Sequence, residues 1–326
     1  MTESFPQFDR SRLRLHPLAD REHRLERSII LPLEPTASIG LELEAVAACI
    51  TAAKAREAAI VLMMGAHVLR SGVQRYLIDL MERGWLSVLA MSGAGVIHDF
   101  EFALVGATTE SVARYIREGQ FGLWQETGRI NDIVAAAAQD RLGLGEAVGR
   151  KIVEDGFPHR DISVLAAGYR LGIPITVHVG IGYDIVHEHP NCDGAAYGAT
   201  SYTDFLRFAK VLESLQGGVV MNFGSAVMAP EVFLKALAMV RNLARQDGGE
   251  ITKFTTLVCD LKELPKSYRQ EASREDSAYY FRPWKTMLVR SVAEGGESYY
   301  LQGHHATTIP QLWTALQSAH QAEENK

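Results

Sequence analysis

Apolar runs recur along the chain, and each gives way to a short glycine- or histidine-bearing turn and then to a stretch with helical periodicity. Ala59-Ile-Val-Leu-Met-Met64 leads into Gly65-Ala66-His67 and a helix over about 71–83. Leu86-Ser-Val-Leu-Ala-Met91 leads into Ser92-Gly93-Ala94-Gly95 and a helix past His98 and Asp99. Ile173 to Val179 leads into Gly180-Ile181-Gly182-Tyr183-Asp184, and Gly218 to Asn222 into Phe223-Gly224-Ser225-Ala226. Ser298-Tyr-Tyr-Leu301 leads into Gln302-Gly303-His304-His305 and a last helix through Leu316. Short, continuous apolar runs suit strands buried on both faces of a parallel sheet. Strands that each hand over to a helix imply right-handed βαβ units. The expected fold is therefore α/β, a doubly wound, mostly parallel, Rossmann-like sheet with helices on both faces. In such a sheet the turns share the edge where ligands bind.

Between these units the pattern predicts further elements. Leu41 to Arg56 reads as a helix, and Gly84 stands where a C-terminal cap belongs. Thr108-Thr109-Glu110 reads as the start of a helix to about Glu118, capped by threonine. Gly119 to Asp155 reads as helical with glycine interruptions, and Ser201 and Thr203 as caps of a helix to about Gln216. Residues 161–170 form an amphipathic helix ending at Gly172, and a helix over 231–245 is divided by Gly248-Gly249 from a strand over 254–258. Pro265 to Arg282 is polar and mixed in charge, as in a long mobile loop. Residues 1–36, charged and punctuated by proline, form an N-terminal arm, and 37–326 a single α/β domain.

Composition narrows the function. The chain has 326 residues, 47% hydrophobic and 22% charged, with a net charge of −6, so no global field draws it to nucleic acid. No segment reaches the ~20 apolar residues that span a bilayer, which excludes a membrane partner of that kind. The polar N-terminus lacks a signal-peptide core. Three scattered cysteines, Cys49, Cys192 and Cys259, fit a cytoplasmic location better than a disulfide framework.

Several segments, taken in order, resemble the deoxyhypusine synthase family. They are Gly65 to Met81, Val88 to Asp99, Ile162 to Ile175 and Val219 to Ala226, within a similarity that runs from about 60 to 316. The resemblance implies NAD as cofactor, a homotetramer, and transfer of an aminoalkyl group between small, polyamine-type amines; the related homospermidine synthases pass the group to another amine. Ser92, Gly93, Ala94 and Gly95 match the family's Thr-Ala-Gly-Gly turn against NAD, and Ser71 and Gly72 match a Ser-Gly in the preceding cofactor loop. Gly224 and Ser225 stand at its Gly-Gly-Gly turn, and His304 and His305 at an Asp-Ala contact. Asp184 matches an acidic residue of the polyamine site. Arg282-Pro283-Trp284-Lys285 follows the order of the lysine segment, so the resemblance makes Lys285 the amine that carries an imine. The family's His-His after the glycine turn is Ala229-Pro230 here. Its Asp-Gly-Ser-Asp-Ser run has no counterpart; Asp260, Glu263, Glu271, Glu275 and Asp276 stand in its region without that spacing.

Histidines crowd the same edge. His98 or His304 could shuttle protons, since a neutral imidazole works near pH 7. The chain lacks a metal motif of recognised spacing, and no metal is expected; His178, His187 and His189 are the alternative ligand set. A hydrolase or lyase with a His-lined cleft, or a non-catalytic ligand-binding paralogue, are the other functions the fold admits.

Overall fold

The structure is a computed structural model that describes residues 5–324. Its centre is a six-stranded parallel sheet of β1 (Ile60–Met64), β2 (Val88–Ser92), β3 (Ile175–His178), β4 (Val219–Phe223), β5 (Thr255–Asp260) and β6 (Glu297–Gln302). The strands lie in the order β3-β2-β1-β4-β5-β6. This is the doubly wound order in which the connections reverse direction between β1 and β4. The apolar runs become strands because both faces are covered. Along β1, Ile60, Leu62 and Met64 enter one core, while Ala59, Val61 and Met63 enter the other.

The first core packs α1 (Leu41–Ala55), α2 (His67–Arg70), α3 (Gln74–Glu82), α4 (Gly93–Val105) and, further along, the last helix His305–Glu324. Helices over Arg129–Gln139, Leu144–Glu154 and Val164–Leu171 join that face. The second core holds the helices Gly194–Leu212 and Met228–Gln246 and the π-helical Pro283–Arg290. Gly172 takes a left-handed conformation past Leu171, and Gly84 does so after α3, as the caps require.

Several boundaries differ from the sequence pattern. Thr108 is not a helix cap. It pairs with Leu25 in a short antiparallel ribbon between the arm and the body, and the helix that follows is Val112–Glu118. Helix does not fill Gly119–Asp155: turns occupy its first part, and Arg141, at φ 59°, and Gly143 break the rest. Ser201 and Thr203 lie inside a helix that begins at Gly194, where the Asp193 carboxylate accepts from the N–H groups of Ala195 and Ala196. Ser201 instead bridges that helix to β3, donating to the Val177 carbonyl and accepting from the Val179 N–H. Residues 265–282 are pinned: Trp284 donates its indole N–H to the Tyr268 carbonyl, and Arg290 pairs with Glu271. Among the described residues no helix is long and apolar enough to cross a membrane.

Candidate functional site

Because all six strands run the same way, every strand-to-helix turn opens on one edge, and the ladder continues into those turns. Gly65 donates to the Phe223 carbonyl at 2.9 Å, Gly224 to that of Cys259 at 2.9 Å and Gly303 to that of Asp260 at 3.0 Å. The ends of β1, β4, β5 and β6 therefore stand side by side in that order. At the switch point the contact is backbone on backbone: a Cβ on Gly65 would collide with the Gly224 carbonyl. Gly224 has φ 66°, and its open face is covered by the His305 imidazole. Burial depresses the basicity of His305, whose Nδ1 is buried without a partner; Asp260 opposes that depression, while His67 and His304 add to it.

The second focus is the start of α4. Here the Asp184 carboxylate, from the turn after β3, lies against the α-carbon of Gly93 and accepts from the Ala94 N–H. Burial pushes its pKa up to about 6. Asp184 also accepts from the His187 N–H, and His187 Nδ1 accepts from the N–H groups of Gly182 and Asp184, which closes the loop on itself. A helix N-terminus favours negative charge through its free N–H groups and its dipole. This one holds an anionic oxygen of the protein itself.

Beneath that start lies a buried ion pair. Arg21, from the arm, donates both terminal nitrogens to Glu101 at 2.8 Å each, and both side chains are 1% exposed. Glu101 also accepts from Thr108 Oγ1 at 2.6 Å and Thr127 Oγ1 at 2.7 Å. Burial alone would raise its pKa; Arg21 and the two hydroxyls more than offset this, and the pKa ends below the usual value. The pair decides a tautomer. Since the Thr108 hydroxyl proton goes to the carboxylate, its contact with His98 Nδ1 at 2.9 Å needs the proton on Nδ1. Burial pushes the His98 pKa down to about 4, so at neutral pH the ring is uncharged and Nε2 keeps its lone pair. His98, Asp184, Ala94 and Arg70 line one cavity of about 200 Å³.

The expected site residues thus separate into groups. His98, Asp184 and the Ser92-Gly93-Ala94-Gly95 turn come together at α4, with His305 and Gly224 at the switch point. Ser225 lies beside Gly224, but its Oγ is taken by the Ala229 N–H in the first turn of the next helix. Gly72 is covered by the arm, whose Leu31 donates to its carbonyl, and Ser71 Oγ donates to the His67 carbonyl. His304 is exposed at the head of the last helix, its carbonyl accepting from the N–H groups of Thr307 and Thr308. Lys285 lies on the other face of the sheet, its ammonium 4.0 Å from the Tyr279 ring centre and 5.9 Å from that of Tyr280.

The alternative metal set does not assemble. His178 Nε2 pairs with Thr176, His187 holds its own loop, and His189 Nε2 reaches the Gly122 carbonyl at 2.7 Å. Among the described residues no group of three or more histidine, cysteine or acidic side chains could hold an ion. The Asp99 carboxylate is likewise taken, accepting from the Ser163 hydroxyl and from the Val164 and Leu165 N–H groups. Sequence reasoning missed Arg21, Glu101 and Arg70. Two arginines and a glutamate, far apart in the chain and outside any motif, gave no signal of their own.

No family model matches the sequence, and no curated protein matches it. Among solved structures, the ternary complex of AgrE with ornithine and NAD+ is similar at a TM-score of 0.51 and 16% identity, over 86% of this chain and 33% of that one. Unliganded AgrE gives 0.52 and 16% over the same shares, 86% and 33%. A protein of Entamoeba histolytica assigned provisionally as a deoxyhypusine synthase gives only 0.43 and 11%, over 80% of this chain and 76% of that one. The chain spans about a third of the length of the AgrE chains it matches. At these identities the likeness to AgrE shows the fold, a Rossmann-like α/β sheet.

Proposed function

We propose that the chain is an NAD-dependent enzyme acting on a small amine, with the cofactor laid across the carboxyl edge of the sheet. The observation that carries this reading is the switch point itself: strand order β3-β2-β1-β4-β5-β6 with Gly65 and Gly224 in backbone contact at the reversal. Open α/β sheets bind dinucleotides at that place. At α4 the Ala94 N–H is the kind of donor a phosphate oxygen asks for; Asp184 holds it now, and a phosphate would take it only by displacing that carboxylate. Ser92, Gly93, Ala94 and Gly95 would hold the phosphates there, and Gly224, Ser225 and His305 the other end. Ser71 and Gly72, covered in part by the arm, belong to the same assignment by resemblance.

When bound, NAD supplies a hydride acceptor for the carbon bearing the amine. His98, neutral and with Nε2 unprotonated, receives the proton that a substrate ammonium must lose, and Asp184 draws the amine to it. AgrE, on a similar fold, was crystallised with ornithine and NAD+, which favours this class. The finer reading is a transferase of the deoxyhypusine or homospermidine synthase type, tetrameric and cytoplasmic, with Lys285 leaving its tyrosines to carry the aminoalkyl group as an imine. His304 is then the exposed proton carrier at the mouth.

A thermal-shift titration with NAD tests the core of the proposal: a rise in melting temperature is expected, and none at millimolar NAD overturns it. Lys285→Ala separates the two levels. A transferase loses aminoalkyl transfer while keeping the NAD shift, whereas an enzyme without the imine step loses neither.

A further inference from the structure

The cavity beside α4 carries more information than the proton acceptor in its wall. Its volume, about 200 Å³, is below the about 300 Å³ at which sites for drug-sized molecules begin. A space of that size fits a small metabolite. Two guanidinium groups line it, Arg21 and Arg70, and they differ. Arg21 is fully committed, to Glu101 and to His23 Nδ1. Arg70 donates only to His67 Nε2, at 3.1 Å; its Nε is buried without a partner, and among the described residues no carboxylate forms an ion pair with it. The cavity therefore holds one guanidinium with capacity left for a carboxylate, the partner its planar fork fits best.

Thr109, in the same wall, makes a second, independent observation. Its φ is 68°, a left-handed conformation that β-branched residues rarely adopt. The backbone is held there by the Arg24 N–H, which donates to the Thr109 carbonyl at 2.9 Å. Yet the hydroxyl that makes threonine worth its strain is buried without a partner. Strain retained beside an unsatisfied polar group marks a place kept for a ligand. On the other side, Asp184 and Glu110 bring carboxylates to the lining. Glu110 is spent on the Gly122 N–H and the Trp124 indole N–H, whereas the Asp184 partners are backbone N–H groups of its own loop and of α4.

We propose that this cavity binds a free amino acid, with its carboxylate on Arg70 and the Thr109 hydroxyl and its amine between Asp184 and His98 Nε2. The inference rests on the reading of this edge as a small-amine site, and it narrows that amine to one bearing a carboxylate. A polyamine brings only positive charge to a wall whose uncommitted group is already a cation. A dicarboxylate satisfies Arg70 but sets its second anion against Asp184. A zwitterion meets both.

The test compares two probes that differ by the carboxylate alone, L-ornithine and 1,4-diaminobutane, in calorimetric titrations of the full chain with and without NAD, backed by a thermal-shift panel of the common L-amino acids. At least one amino acid is expected to bind tenfold or more tightly than its decarboxylated amine. Arg70→Gln should remove that preference by weakening the amino acid, while the diamine, relieved of a like charge, binds as well as before or better. Thr109→Gly supplies a readout that a structural role would not give: glycine relieves the positive φ, so the melting temperature should rise or hold while amino-acid affinity falls several-fold. Equal or tighter binding of the decarboxylated amine, a preference that survives Arg70→Gln, or no binding across the panel overturns the inference. The NAD shift is read in the same samples. An NAD shift without amino-acid binding refutes this inference and leaves the proposed function standing; amino-acid binding without an NAD shift does the reverse.

Discussion

Removing Glu101 from the Arg21–Glu101 pair should be among the most damaging single changes in the chain, and the structure indicates by how much. Both side chains are 1% exposed, and the carboxylate accepts four hydrogen bonds, two from Arg21 and one each from Thr108 and Thr127. In Glu101→Gln the guanidinium stays buried with no counter-charge, a change that costs about 3–5 kcal/mol. That is a large share of the 5–15 kcal/mol typical of a whole domain. Arg21→Met leaves a buried carboxylate, which can escape by taking up a proton, so its penalty should shrink as the pH falls. The sign follows from linkage. In the wild type the folded-state pKa of Glu101 lies below its ordinary value of 4.5, so its stabilisation is present above that pH and is lost as acid protonates it. Without Arg21 burial dominates, the folded pKa rises, and the pH slope reverses. The double variant Arg21→Met/Glu101→Leu should cost less than the two singles summed, because it leaves no charge behind. Urea unfolding followed by tryptophan fluorescence measures all three. Trp124 reports locally, with the Arg21 guanidinium 5.8 Å from its ring centre. A Glu101→Gln cost under about 1 kcal/mol, below even the net worth of a hydrogen bond to a charged group, or strict additivity in the cycle, refutes the reasoning.

Two further outcomes follow from the same geometry. Gly224→Ala forces a positive φ on alanine and drives its Cβ into the His305 ring; a loss of about 1–3 kcal/mol is expected, and a melting temperature equal to wild type would contradict the close packing at the switch point. His178 is buried, with its pKa pushed down to about 4, so the unfolded chain takes up a proton below about 6.5 that the folded chain refuses, and stability falls over that window. His178→Leu removes the effect, so relative to wild type the variant should gain about 2 kcal/mol between pH 7 and pH 5; a stability difference that does not change with pH would count against it.

The sheet was legible because its strands, the edge strand β6 apart, are short apolar runs with no exposed face, and a strand covered on both sides has no other pattern to show. The turns were legible for a related reason, since glycine and serine after such a run have few other uses. What escaped was long-range. Arg21 and Glu101 are 80 positions apart, and each alone resembles a solvated charge. Thr108 and Thr109 read as a cap because threonine before a helix usually is one, but the arm claims Thr108 for a strand pair and Arg24 fixes the Thr109 backbone. Asp193 was hidden in a loop of small residues, so the cap of the helix after it was placed eight residues late, at Ser201. The histidines at strand ends were visible as a group, but not their separate employments, because a ring nitrogen's partner is a matter of tertiary contact.

A common arrangement ties the carboxyl edge together: where the backbone of a turn lacks a side chain, an ionisable group from another turn lies on it. Asp184 covers Gly93 and His305 covers Gly224. A Cβ at either position would push the group away, so glycine there is what lets a titratable side chain sit at the cleft floor and be desolvated by it. Desolvation then acts on both in one sense, toward the uncharged form: the Asp184 carboxyl rises to about 6 and the His305 imidazole is depressed. At pH 7 the edge then presents the neutral His305, the Asp184 carboxylate, still largely ionised, and the Arg70 guanidinium. The arrangement costs stability in the empty protein, since burial opposes the charge that Asp184 still largely carries at pH 7. A ligand that brings an ammonium to Asp184 and an anionic oxygen to Arg70 would offset that cost, and the gain would appear as affinity.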